Sequence, residues 1–154
     1  MGLEELEAYG MARMDETGIR QFLSNQRVGV LGLPTDGTPY LVPLSFGFDG
    51  DSHLYFTYVG SESRKKRLSD RAETASFLVY SADTPFNWES VLLTGTIERV
   101  SDDETEGLAD VLDTAWRPDL FERAENGVKN GVYRFVVDDR IGIKHTGLPP
   151  AFER

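Results

Sequence analysis

The stretch VGVLGLPTDGTPYLVPLSFGFDGDSHLYFTY, residues 28–58, decides the fold. Val28 to Leu33 is a short apolar run closed by Pro34, Asp36 and Gly37, residues that stop regular structure and reverse the chain. Pro39 to Ser45 follows at once as a second apolar run, so the two predict a hairpin. The second strand is expected to continue through Phe46 and Phe48 to Asp49–Gly50, another turn dipeptide. His53, Leu54, Tyr55, Phe56, Thr57 and Tyr58 then give a third strand rich in aromatic side chains. Pro43 has no N–H to donate to a ladder, so its place inside the second strand implies an edge, a bulge or an interruption. A barrel corner accounts for it structurally. An interrupted strand would also leave backbone groups free to address a ligand.

Outward from this stretch, Asp15 is an expected helix N-cap. Ile19, Phe22 and Leu23 recur at helical spacing, predicting a helix of about ten residues that ends before Arg27. Residues 1–13 read as a loosely attached arm. Downstream, Ser61 to Asp70 reads as a short basic helix. Strands are expected at Ala75–Tyr80, Ser90–Val100 and Gly131–Asp138, with an acidic helix at about Asp102–Ala115. Six strands and few helices predict a mainly β chain, a six-stranded antiparallel barrel in which closure removes exposed edges. A parallel doubly wound sheet would need a helix after nearly every strand. The 154 residues, 40% of them apolar and free of internal repeats, are expected to form one domain over 1–154.

Charge narrows the function. The chain holds 26 acidic and 16 basic residues, a formal net charge of −10, whereas a generic nucleic-acid binder presents a basic face. Any phosphate recognition must therefore come from a local basic cluster. The acidity, with only Lys65, Lys66, Lys129 and Lys144 as lysines, suits a halophile. Absence of cysteine excludes a disulfide scaffold, a zinc ribbon, an iron–sulfur cluster and a thiol nucleophile, and fits a reducing compartment. No apolar run reaches the roughly 18 residues of a membrane span, and the first residues carry acids where a signal peptide carries a basic region. A cytoplasmic protein without membrane or nucleic-acid partners is expected.

The local basic cluster exists. Arg64, Lys65, Lys66 and Arg67 are four consecutive cations, a quarter of the 16. Ser61 and Ser63 precede them at the expected helix start, where hydroxyls and free N–H groups favour an anion, and Thr57 ends the preceding strand with a further hydroxyl. The competing reading is a solvated helix face paired with Asp70 and Glu73. Other chemistry is sparse. His53 and His145 are the only histidines, so a histidine-built metal site has at most two ligands, and none is assigned. HExxH, P-loop, GxSxG and GxGxxG patterns are absent. Asp102, Asp103, Glu104 and Glu106 read as solvated residues of a helix start. Trp116 reads as a packing residue, while Trp88 opens a strand and either packs or lies over a flat ligand. No residue stands out as a proton donor, and none is assigned a catalytic role.

Taken in order, Pro43 to Thr57, then Gly60, Ser63–Arg64–Lys65 and Leu68, resemble the pyridoxamine 5′-phosphate oxidase-like flavoproteins. The run Trp88 to Glu98 is similar to that family's second conserved strand. The resemblance spans roughly residues 15–145 and is nearest to the branch with nitroimidazole-resistance-like proteins. It implies a split β-barrel that forms a homodimer, with FMN in two grooves at the subunit interface. It places Arg64 and Lys65 on the FMN phosphate with the Thr57 hydroxyl, and Pro43, Leu44 and Ser45 along the isoalloxazine edge through backbone groups. Ser90 stands where the family often has a glutamine on the flavin, and Trp88 lies beside it. The implied activity is an oxidoreductase passing electrons from a small-molecule donor to a small acceptor. The alternatives are a deazaflavin-dependent reductase of the same fold, or a flavin- or haem-binding module without turnover. The chain lacks the basic residue that the true oxidase carries in the strand of Leu41 to Phe46, and the tryptophan- and arginine-bearing tail that holds its substrate. Its Thr57-to-Arg64 spacing is about two residues longer. Oxidation of vitamin B6 is therefore not expected.

Overall fold

In the computed structural model, the described residues are 2–59, 63–108, 110–111 and 130–147. The elements, in chain order, are α1 (Leu3–Ala8), β1 (Met11–Arg13), α2 (Glu16–Asn25), β2 (Val28–Leu33), β3 (Tyr40–Ser45), β4 (Gly47–Phe48), β5 (His53–Val59), α3 (Arg64–Arg71), β6 (Ala75–Thr84), β7 (Asn87–Arg99), α4 (Asp102–Glu106) and β8 (Asn130–Thr146). The strands form one antiparallel sheet in the order β3-β2-β6-β7-β8-β5-β4, with β1 added to the far part of β8.

The two ends of this sheet are consecutive in sequence. β3 is the first strand of the order and β4 the last, yet only Phe46 separates them. The chain therefore leaves β2 at Ser45 and begins to pair with β5 at Gly47. That handover curls the sheet into a half-closed barrel. Phe46 is buried at the joint, and its ring meets Phe77 edge-on at 5.3 Å. Phe77 also packs at 5.0 Å against Phe56 and at 6.3 Å against Phe135, so four rings from four parts of the chain fill the interior.

The mainly β, split-barrel expectation holds, with eight strands among the described residues in place of the expected six. The expected continuous strand through Phe48 breaks at Phe46, because that side chain is drawn into the core while the flanking residues pair with different neighbours. Residues 11–13, expected as part of a loose arm, pair with Ile143 to His145, and Leu6 of α1 is buried. β6, β7 and β8 run beyond their expected ends at Tyr80, Ser90 and Asp138, because their polar extensions pair with one another in the ladder.

Local signals hold well. Asp15 caps α2 by accepting from the Gly18 N–H at 2.7 Å, and Ile19, Phe22 and Leu23 form its buried face. The Asp49–Gly50 turn works through the Asp49 carboxylate, whose Oδ1 accepts from the backbone of Asp51, Ser52 and His53, while Gly50 supplies the positive φ of 90°. His53 is half-exposed beside that carboxylate, 2.9 Å from Oδ2, a surface strand residue as expected. Described α4 covers Asp102–Glu106. Trp116 and the end of the expected acidic helix lie outside the described residues.

Candidate functional site

The basic run forms the first turns of α3. Ser63 is its N-cap, accepting from the Lys66 N–H at 3.2 Å. Its first residue, Arg64, comes three residues after the expected start at Ser61, which lies outside the described residues. Arg64 and Lys65 project to different supports. The Arg64 guanidinium carbon sits 5.0 Å from the centroid of the Tyr40 ring on β3, and Lys65 Nζ sits 5.3 Å from that of Tyr58 on β5. Each cation thus rests on a tyrosine face.

Beneath the helix lies a tyrosine pair. Tyr58 and Tyr133 stack with centroids 4.5 Å apart. The Tyr58 hydroxyl bonds Ser69 at 2.9 Å, and the Tyr133 hydroxyl donates to Asp70 Oδ1 at 2.8 Å. Burial pushes the Tyr58 phenol up to about 12, against the opposing bond to Ser69. Burial first and then the Asp70 carboxylate raise the Tyr133 phenol, so both hydroxyls remain protonated. Asp70 is thereby engaged by the barrel. Among the described residues, Arg64, Lys65 and Arg67 form no ion pair with Asp70 or Glu73. Lys65 is half-buried, and burial lowers its ammonium from the ordinary lysine value.

β3 reaches this cluster through Tyr40. Ser45, the last residue of β3, pairs with Val28 on β2, and Thr57 on β5 pairs with Val132 on β8. Pro43 is exposed on the edge strand β3, resolving its place in the ladder as an edge. The Leu44 side chain packs against the core, so only its backbone is available to a ligand on the outer face. Arg64 and Lys65 rest on Tyr40 and Tyr58, whose rings pack with the core, whereas Pro43, Ser45 and Thr57 alternate to the other face of their strands near the joint.

Trp88 and Ser90 lie elsewhere. Ser90 pairs with Tyr80 on β6 and Ile143 on β8, and the β2–β6 register carried on to Val28 puts it level with Ser45. Three strand spacings then separate Ser90 from Ser45, roughly 14 Å. Trp88 packs within its own hairpin, donating Nε1–H to the Pro85 carbonyl at 3.2 Å with its ring 5.9 Å from His145. His145 in turn donates Nδ1–H to the Phe86 carbonyl at 3.0 Å. The packing reading of Trp88 is the one its contacts support. One chain therefore does not gather all eight candidate residues around a single point.

Across the outer face of the sheet runs an apolar row. Pro43, Val30, Leu78, Leu92 and Ile141 stand in direct cross-strand register on β3, β2, β6, β7 and β8. They face away from the core formed by Leu31, Phe77 and Leu93. Leu92 is 42% exposed and Ile141 48%, with Val28 and Tyr80 exposed in the adjoining row. Sequence reading missed this row, and it missed Tyr40, Tyr58 and Tyr133 as supports, because both depend on which strands become neighbours.

The family model described as pyridoxamine 5′-phosphate oxidase matches residues 15–144. The chain belongs to the pyridoxamine 5′-phosphate oxidase family. No curated protein matches it. Among solved structures it is similar to a FAD-binding protein from Mesorhizobium loti, with 23% identity, a TM-score of 0.69, and coverage of 88% of this chain and 97% of that one. It is similar also to a candidate 5-nitroimidazole antibiotic resistance protein from Bacteroides thetaiotaomicron, with 20% identity, a TM-score of 0.65, and coverage of 88% and 89%. The flavocytochrome Anf3 from Azotobacter vinelandii matches with 20% identity, a TM-score of 0.68, and coverage of 95% and 77%. These likenesses establish the oxidase-family split barrel as the fold. Among the described residues no helix is long and apolar enough to cross a membrane.

Proposed function

We propose that this oxidase-family protein binds a flavin, FMN being the smallest that satisfies the site, and works as an oxidoreductase between a small-molecule electron donor and a small acceptor. The observation that carries the reading is the pair of cations, Arg64 and Lys65, held on tyrosine faces without an acidic partner among the described residues. A phosphate dianion supplies the missing counter-charge through charge-assisted hydrogen bonds. The family resemblance adds the Thr57 hydroxyl as a neutral donor. The Pro43–Ser45 edge offers unpaired backbone groups and an apolar surface to a flat ring. Bound flavin would supply the two-electron redox chemistry, while these residues bind and orient it. Flavin- and haem-binding structures among the neighbours support the same reading, and a cysteine-free chain suits the reducing cytoplasm.

The functional unit in this reading is a homodimer. The exposed apolar row from Pro43 to Ile141 continues directly from the β3 edge, and a second copy laid against it would cover the row. Ser90 would then face a flavin held by the other subunit. The reading is tested by the chromophore that copurifies and by its response to donors. An oxidised-flavin spectrum bleached by a nicotinamide donor and restored by a quinone or nitroaromatic acceptor is expected. A deazaflavin spectrum would replace FMN with the related carrier, and a bound flavin inert to every donor would leave a binding module.

A further inference from the structure

We infer that Tyr133 is a redox-active residue beneath α3, a one-electron donor that passes its hydroxyl proton to Asp70 as the electron leaves. The inference concerns the chain's own side chains and does not depend on a bound flavin. Its geometry begins in the ladder. Tyr58 pairs with Gly131 and Phe56 with Tyr133, so Tyr58 and Tyr133 are diagonal neighbours on one face of β5 and β8. Gly131 carries no side chain, and the Tyr133 ring lies 3.3 Å from the place where a Cβ would stand. The two rings stack with centroids 4.5 Å apart and planes 27° from parallel. Both residues are sealed from solvent, at 0% and 1% exposure. Tyr40, half-buried on β3, packs on the same core and links it to the surface.

A phenol gives up an electron with difficulty while it keeps its proton, because the cation radical is a strong acid. A base already bonded to the hydroxyl removes that obstacle. Among the described residues, Tyr133 alone of the tyrosines donates to a carboxylate, Asp70 Oδ1 at 2.8 Å. Tyr55 instead accepts from the Arg134 guanidinium, and Tyr58 bonds the Ser69 hydroxyl. The Lys65 ammonium also lies 5.3 Å from the centroid of the Tyr58 ring, where it opposes positive charge on that ring. An electron vacancy in the stack therefore settles on Tyr133, with Tyr58 as the contact through which it arrives from the α3 side. The oxidant is, by class, an oxygen-centred radical such as a peroxyl radical. It takes one electron from Tyr133 and a proton from water and becomes a hydroperoxide. The Tyr133 O–H bond breaks, an O–H bond forms on Asp70, and a neutral tyrosyl radical is left beside a carboxylic acid.

The experiment oxidises the purified protein with photogenerated tris(bipyridine)ruthenium(III) and follows tyrosyl radical by electron paramagnetic resonance, with folding checked by circular dichroism. The wild type is expected to give a radical that outlasts that of free tyrosine, since the ring is closed off from radical coupling. Tyr133→Phe should abolish the long-lived signal, whereas Tyr80→Phe, at an exposed ring, should leave it unchanged. Asp70→Asn keeps a hydrogen-bond acceptor of the same shape but no base, so radical formation should slow by about a hundredfold, the scale of a positioned proton acceptor. This isosteric variant also carries the test if Tyr133→Phe does not fold. A wild type without a persistent tyrosyl radical, a signal that survives Tyr133→Phe, or formation at the wild-type rate in Asp70→Asn would overturn the inference.

Discussion

Tyr133 donates its hydroxyl to Asp70 at 2.8 Å, tying β8 to α3 across 63 positions of sequence. This bond decides how the basic run is to be understood. It withdraws the one carboxylate within α3 from the cations of the same helix and fixes the helix against the barrel. Tyr133→Phe is therefore expected to cost about 1 kcal/mol of stability in chemical denaturation, the ordinary contribution of such a bond. It should also lower FMN affinity severalfold while riboflavin affinity holds, because the cations lose their fixed position. Unchanged FMN binding would show that the tether does not orient them.

Gly95 stands at the register shift between β7 and β8, with the Val136 carbonyl oxygen directly where a Cβ would be. Gly95→Ala must displace backbone, since no flexible side chain can yield. A loss of about 3 kcal/mol or more is expected, in the range of severe core substitutions. A near-neutral result by thermal or denaturant unfolding would mean that the ribbon can open at this point.

Acid stability should depend on Asp49. Its partial burial pushes the carboxyl up, but bonds from the backbone of Asp51, Ser52 and His53 and from the His53 ring outweigh that and hold it below the ordinary value of 3.8. A depressed folded value stabilises the fold fully above the ordinary value, and that contribution disappears as pH falls through the folded one. Asp49→Asn is therefore expected to be less stable than the wild type at neutral pH, and the gap should narrow below about pH 4. A gap of constant size down to pH 2 would assign the turn's stability to other groups.

Leu92, at the centre of the outer apolar row, tests the dimer. Replacing it with lysine puts a charge where two copies would meet, yet leaves the interior packing untouched because the side chain points outward. Sedimentation should give a dimer for the wild type and a monomer for Leu92→Lys at micromolar concentration. A wild-type monomer carrying flavin would place the second wall of the groove within one chain.

Much of the fold was legible where signals are local. The Asp36–Gly37 turn, the Asp15 cap with Ile19, Phe22 and Leu23, and the Ser63-led basic helix all depend on residues a few positions apart. The break at Phe46 was not legible, because a Phe-Gly-Phe run reads as strand and only the tertiary handover from β2 to β5 divides it. β1 was missed for a similar reason, since Met11 to Arg13 is a strand only because β8 extends to receive it. In the candidate site, Arg64 and Lys65 were conspicuous by charge. Their supports, Tyr40 and Tyr58, could not be told from other strand tyrosines until the register put them under α3.

The most direct measurement compares FMN with riboflavin in the wild type, Lys65→Ala and Arg64→Ala/Lys65→Ala. Riboflavin carries the ring without the phosphate, so it separates the cations from the rest of the site. Each charge-assisted bond contributes about 1.5–3 kcal/mol, so Lys65→Ala should weaken FMN by roughly tenfold to a hundredfold. The double variant should lose more, with riboflavin affinity changed by less than about twofold. Equal FMN affinity in the wild type and the double variant, with the barrel intact by circular dichroism, would contradict the account.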